Sequence, residues 1–142
     1  MSRVVATFSV ALALIGCSFS GHANGDPSGR PPRLGPAYRN AETFLEFRRM
    51  LLADGWKPEE NPDCLKEVIG GDYEETCRAD PEKSRCRVCT MLPEIAVSTA
   101  SGHTILEYTK EGAGLGVELY GDLSDFDKPP PHDLAIMGWN YH

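Results

Sequence analysis

The chain has 142 residues, of which 41% are apolar and 25% charged, an ordinary composition for one soluble globular domain. It carries 14 Lys and Arg against 21 Asp and Glu, so its formal net charge is −7. Nucleic-acid binding needs a concentrated basic surface, and this balance therefore argues against it. The balance equally argues against docking on anionic lipid by charge alone. It suits simple solubility, and it also suits a basic protein partner.

The first residues have the pattern of an export signal. Arg3 supplies a short positive region, and the run 4–15 that follows carries no charge. This run is too short to span a bilayer as a helix, but it fits the apolar core of a signal peptide. Residues 1–16 are therefore predicted to be a signal peptide, and the mature protein is expected to be exported to the periplasm.

The segment Leu14-Ile15-Gly16-Cys17 closes this apolar run. It resembles the lipobox of bacterial lipoproteins, in which the cysteine thiol receives a diacylglycerol and the chain is cut before that cysteine. The resemblance implies lipidation of Cys17, and Ser18 in the place of a retention aspartate implies sorting to the outer membrane. Removing Cys17 also leaves four cysteines, an even number for disulfides. The alternative is an ordinary secreted protein that is cut after Ala23.

The folded part is predicted to follow a tether. Residues 17–38 are predicted to be flexible because Ser, Gly and Pro dominate them and cannot hold a helix or a central strand. The domain is then expected to occupy residues 39–142. Its first element is a predicted helix over residues 41–53, with Asn40 as the N-cap and Gly55 just after the end. Its apolar stripe has helical spacing and comprises Phe44, Phe47 and Leu51.

An alternating pattern begins after Pro93. Residues 95–98, 104–109 and 115–120 are predicted to be strands joined by glycine-containing turns. The sequence therefore predicts an α+β fold, in which one N-terminal helix packs on a small antiparallel β-meander and disulfides add stability. The tail, residues 134–142, is apolar enough to dock on this domain.

Four cysteines remain in the domain, namely Cys64, Cys77, Cys86 and Cys89. The two-residue gap before Cys89 also occurs in zinc knuckles and redox motifs, but a zinc site needs a second close pair and a redox motif needs a helix opening at it. An oxidising compartment favours disulfides. The turn 80–83 is interpreted as closing a β-hairpin of residues 73–78 and 85–89, which places Cys77 opposite Cys86 and leaves Cys64 for Cys89. The competing pairing is Cys64–Cys77 with Cys86–Cys89.

No catalytic residue, cofactor or metal is predicted. His103 lies near Ser98 and Ser101 in the sequence, but no third orienting group is evident. The four histidines, which are His103 together with His22, His132 and His142, lack the helical i, i+4 spacing of a zinc site.

An acidic cluster after the last strand lacks the glycine and terminal Glu of an EF-hand and is interpreted as a solvated loop: Asp122, Asp125 and Asp127. Large aromatic side chains are predicted to lie in the core rather than in an exposed patch: Trp56, Trp139 and Tyr141.

Three short stretches carry a second resemblance. Gly55-Trp56-Lys57-Pro58, then Pro93-Glu94-Ile95, then a glycine-turned hairpin are similar to small uncharacterised periplasmic proteins of bacteria. In many of those a cysteine follows the Pro-Glu-Ile segment, whereas Val97 and Ser98 stand here. The resemblance implies a fold and a compartment, and it brings no catalytic residues with it.

Export, a lipid anchor, an acidic surface and the lack of a catalytic motif together indicate the expected function. The protein is expected to be a non-enzymatic, lipid-anchored periplasmic module that binds another envelope or exported protein. Inhibition or neutralisation of a lytic enzyme or toxin is the most concrete form of that role. A structural or assembly accessory lipoprotein of the envelope is the alternative, and a hydrolase with an unrecognised site is the third hypothesis.

Overall fold

A computed structural model describes residues 32–129 and 134–142. The predicted signal peptide, the lipobox with Cys17, most of the tether, His22 and His132 lie outside these residues. The elements in chain order are a 3-10 helix η1 (Pro36–Asn40), α1 (Phe44–Ala53), β1 (Lys57–Pro58), α2 (Cys64–Ile69), α3 (Tyr73–Ala79), α4 (Ser84–Met91), β2 (Ile95–Ser98), β3 (His103–Lys110), β4 (Ala113–Tyr120), a 3-10 helix η2 (Leu123–Asp125) and β5 (Ala135–Tyr141). The fold is a mixture of helices and antiparallel sheet with two disulfides.

The five strands of the described residues form one antiparallel sheet. β3 lies at its centre and pairs with β4 on one side and with both β1 and β2 on the other. β4 pairs in turn with β5, which forms an edge of the sheet. The predicted meander of β2, β3 and β4 is therefore confirmed, whereas the tail, for which only docking was predicted, contributes a further strand.

One face of the sheet forms the core. Its β3 and β4 side chains are fully buried, namely Leu106, Tyr108, Leu115, Val117 and Leu119. Phe47 and Leu51 of α1 join the same core, as the helical spacing predicted. The opposite face carries His103, Glu118 and Tyr120, all of which are exposed. β2 departs from regular alternation, because a bulge between Ile95 and Val97 buries Ile95 and turns Val97 outward.

The chain joins the domain earlier than the predicted boundary. Tyr38 is buried, and its hydroxyl donates to Asp54 Oδ2 at 2.5 Å. The backbone N–H of Leu34 donates to the Tyr141 hydroxyl at 2.7 Å. α1 in turn begins later than predicted, because Thr43 is its N-cap and accepts from the Glu46 N–H. Asn40, the predicted cap, ends η1 instead.

The predicted β-hairpin around residues 80–83 is wrong. Residues 73–79 and 84–91 are the helices α3 and α4, so the described residues hold four α-helices rather than one. α3 has acidic residues in its first turn and Arg78 in its last, the charge order that a helix dipole favours. None of its side chains is buried. Its charges therefore lie in water, and the mixed polar pattern that was interpreted as a strand belongs to an exposed helix.

The two disulfides join Cys64 to Cys89 and Cys77 to Cys86. These are the pairs that the sequence analysis reached, although the β-hairpin behind that reasoning does not form. Two residues that are equally far from a turn along the chain come close together in a helical hairpin as well as in a β-hairpin. The Cα atoms of Cys77 and Cys86 are accordingly 5.6 Å apart, within disulfide reach. Cys64–Cys89 links α2 to α4.

A buried ion pair ties α1 to the sheet. Glu94, just before β2, is fully buried, and its carboxylate accepts from Arg48 Nε at 2.5 Å and from a second Arg48 nitrogen at 3.2 Å. The Tyr108 hydroxyl donates to the same carboxylate at 2.8 Å. The hydrogen bond that Arg48 donates to Glu94 raises the pKa of Arg48, and burial raises the pKa of Tyr108 far above its ordinary value. Arg48 and Tyr108 therefore both keep their protons, and both remain hydrogen-bond donors to the carboxylate.

Candidate functional site

The described residues form a groove of about 750 Å³. It lies where the end of α2, the β2–β3 turn and the segment after β4 converge, with Arg85 of α4 at its side. The lining combines hydroxyl, charged and aromatic side chains with backbone, and it includes Glu67, Ser98, Ser101, Tyr120 and Asp122.

Two glycines determine how closely the walls of this groove approach each other. Gly102 ends the β2–β3 turn with a φ of +91°, which only glycine adopts readily. A Cβ on Gly102 would lie 3.2 Å from the carbonyl oxygen of Gly121, and the Gly121 N–H donates to the Gly102 carbonyl at 3.0 Å. The β2–β3 turn and the end of β4 are therefore locked together by backbone contact.

The rim of the groove carries both signs of charge. Hydrogen bonds from the backbone N–H and the side chain of Ser124 lower the pKa of Asp122, and Arg85 adds to this. Asp122 is therefore ionised well below neutral pH. Arg85 is exposed on α4, whereas Val68 and Leu123 provide buried apolar surface beneath the rim. Tyr120 is 47% exposed, an unusual position for a large aromatic ring, and it offers an apolar surface with a polar tip.

The structure gives His103 a partner that sequence reasoning missed. His103 lies at the start of β3 rather than in a turn, and its Nδ1 is 3.2 Å from Glu118 Oε1 on β4. Its ring also packs edge-on against Tyr120. Ser101 bonds to Thr99 instead, and among the described residues neither Ser98 nor Ser101 is hydrogen-bonded to His103. Glu118 can be identified as the partner of His103 only from the register of β3 on β4, and no local motif encodes that register.

The other predicted positions are distributed over the domain. Asp122 caps η2, and Asp125 pairs with Lys128, so the three acidic residues do not converge. Among the residues described, no group of three His, Cys, Asp or Glu side chains is placed to hold a metal ion. Trp56 is buried as predicted, and Trp139 and Tyr141 are half-buried against the core.

Glu107 and His142 form a second polar pair on the outer sheet face. His142 Nε2 lies 3.5 Å from Glu107 Oε2, an oxygen that is buried and has no hydrogen-bond partner in the described part of the chain. A Cβ on Gly114 would come within 2.4 Å of the His142 ring, so glycine makes room for it. Burial raises the pKa of the Glu107 carboxyl, His142 lowers it, and Glu59 raises it again.

This raised pKa predicts a measurable pH dependence. The folded protein holds the Glu107 proton more tightly than the unfolded chain, so stability falls as pH rises between the ordinary carboxyl pKa of 4.5 and the raised folded value. Glu107→Gln is therefore expected to increase the free energy of unfolding by about 1 kcal/mol or less at pH 7, and not at pH 3. Urea denaturation at both pH values measures this. His142→Gln is the control, and it should make the fall with pH steeper; a gain from Glu107→Gln that is equal at both pH values would contradict the argument.

No protein-family model, curated protein or solved structure matches this chain. Within residues 32–129 and 134–142, no helix has the length and hydropathy that crossing a membrane requires.

Proposed function

We propose that the protein is an exported, lipid-anchored module of the bacterial cell envelope that binds another envelope or exported protein. In its most concrete form it inhibits or neutralises a lytic enzyme or toxin. The net charge of −7 supports a basic partner, because opposite charge speeds association and favours the correct encounter. Two disulfides support an oxidising compartment.

The groove at the β2–β3 turn is the observation that carries this proposal. It is open, it exposes Tyr120, and its rim offers Arg85 and Asp122 to charged groups of opposite sign. Exposed aromatic rings and arginines are enriched where proteins bind proteins. A groove of this size and composition suits a loop or side-chain cluster of a partner, with hydroxyls and turn backbone for hydrogen bonds around an aromatic contact.

Filling the groove tests the proposal. Immobilised wild-type protein is expected to retain one stoichiometric basic protein from an envelope extract. Ser101→Trp places a bulky ring in the groove and is expected to reduce that retention at least tenfold. Thr90→Trp is the matched control, since Thr90 is also an exposed hydroxyl residue but lies on α4 outside the groove lining. Equal retention by both variants would refute the groove as the binding surface, and a large complex in place of one basic protein would favour the accessory role.

The lipid anchor is tested separately at Cys17. With an intact lipobox the mature protein is expected in the membrane fraction, because several acyl chains hold far more strongly than one. Cys17→Ala should release the protein or block its processing. Cell fractionation with mass analysis of the N-terminus decides the question. Wild-type protein in the soluble periplasmic fraction, cut after Ala23, would show ordinary secretion instead.

A further inference from the structure

The outer edge of β5 exposes backbone groups in a defined order. Gly114 and His142 exchange both backbone hydrogen bonds across β4 and β5, at 2.8 and 3.1 Å. Residues alternate along an antiparallel strand, so Trp139 and Tyr141 direct their N–H and C=O groups away from β4. Among residues 32–129 and 134–142, no backbone hydrogen bond reaches this side of β5. The edge is therefore a row of donors and acceptors at regular spacing.

This edge lacks the charges that usually protect sheet edges. Natural edge strands carry charged residues, proline or bulges that discourage pairing with another chain. The strand Ala135–Tyr141 contains no charged residue and no proline. Its one irregularity lies opposite Glu118/Leu119, where Met137 is the extra residue, and the part from Gly138 onward is regular. The part of β5 from Gly138 onward can therefore pair with a strand of another chain.

Gly138 leaves an open space beside a carboxylate. It lies opposite Glu118 of β4, and no heavy atom comes within 4 Å of the position that a Cβ on Gly138 would take. The Glu118 side chain is 48% exposed and lies on the same outer face. Neighbouring strands are about 4.8 Å apart, so a residue on an added strand opposite Gly138 would be about 10 Å from Glu118 at the Cα. A Lys or Arg side chain can cross that distance over Gly138, because no side chain blocks its way.

We propose that the β5 edge binds an extended segment of a basic partner protein by strand addition, with a Lys or Arg opposite Gly138 that pairs with Glu118. This inference rests on the proposed protein-binding function and specifies how the partner is held. Backbone hydrogen bonds at Trp139 and Tyr141 supply affinity, and the charge opposite Gly138 supplies selectivity. A second copy of this chain fits less well, because two chains of net charge −7 repel each other and β5 brings no cation to Glu118.

Two capped peptides provide the test: Thr-Val-Thr-Lys-Thr-Val-Thr and the same peptide with Glu in the central position. Amide exchange and chemical shifts of the processed protein are followed by NMR during titration with each peptide. The Lys peptide is expected to slow exchange of the Trp139 and Tyr141 amides and to bind at least tenfold more tightly than the Glu peptide. Glu118→Gln should reduce that preference to less than threefold.

Gly138 offers a matched pair of variants. Gly138→Lys supplies its own ammonium group to Glu118, so the preference for the Lys peptide should disappear. Gly138→Ala should retain the preference. Both should fold, since Gly138 lies in open space and outside the left-handed region of backbone conformation.

Three results would overturn the strand-addition proposal: unchanged exchange at Trp139 and Tyr141, equal affinity for the two peptides, or a wild-type dimer in which these amides are already protected. The last result would identify a second copy as the occupant. A negative peptide result together with a partner lost in Ser101→Trp would reject the edge and leave the proposed function intact. Equal retention of the partner by Ser101→Trp and Thr90→Trp, with the Lys peptide still bound selectively, would reject the groove and leave the edge.

Discussion

Replacing Glu94 with Ala is expected to lower the free energy of unfolding by about 3–5 kcal/mol. The change leaves the fully buried Tyr108 hydroxyl and the Arg48 guanidinium, whose side chain is 19% exposed, without their common acceptor. An unpaired buried charge costs far more than the net value of the pair. Because a domain of this size is stable by about 5–15 kcal/mol, the variant should be close to unfolding at physiological temperature. Urea denaturation followed by tryptophan fluorescence measures the change.

Two companion variants separate charge burial from packing. Tyr108→Phe removes one hydrogen bond from the carboxylate and should cost about 1–2 kcal/mol. The triple variant Arg48→Met, Glu94→Leu and Tyr108→Phe removes both charges together with the hydroxyl that would lose its acceptor, and it should lie within about 1 kcal/mol of wild type or above it. If Glu94→Ala itself stays within about 1 kcal/mol of wild type, the ion pair does not hold α1 on the sheet as described.

Removing the Cys64–Cys89 disulfide is expected to cause the next largest loss in the free energy of unfolding. This bond closes a loop with a sequence separation of 25, and chain entropy alone predicts a loss of about 3.5 kcal/mol when both cysteines become Ala. Cys64 is also buried in the core, so the whole domain should unfold at lower urea concentration. Denaturation curves of the oxidised wild type and the double Ala variant give the difference.

The Cys77–Cys86 bond is the internal control. Its loop has a sequence separation of 9, and α3 places no side chain in the core. Its removal should therefore speed amide exchange in residues 73–79 while the sheet keeps most of its stability. Equal losses of global stability in the two double variants would show that α3 is more tightly integrated than its exposure implies.

The sequence predicted the fold best where a single periodicity of apolar residues determines both which side chains are buried and which secondary structure forms. Leu115, Val117 and Leu119 alternate with exposed or small residues, and all three are buried in β4. Phe47 and Leu51 likewise have helical spacing and are buried in α1. In each case one face meets the core and the other meets water, so the pattern of side chains reports the geometry.

The elements that the sequence did not predict are those in which burial and secondary structure do not share one periodicity. α3 buries no side chain, so no apolar period distinguishes it from a polar strand. β5 carries a bulge and lies at the edge, so its residues do not alternate in exposure as a regular strand's would. The groove draws on Glu67, Ser101 and Tyr120 from distant parts of the chain, and it exists only once the sheet register is fixed. Neither local propensity nor motif spacing contains that information.

Site-specific photo-crosslinking in growing cells tests most directly whether the groove binds another protein. A photoreactive amino acid at position 120 would lie in the groove, and the same amino acid at position 90 would lie on α4 outside it. We expect one dominant crosslinked protein from position 120, basic in composition, and little or none from position 90. Equal crosslinking from both positions, or none from position 120, would contradict the claim.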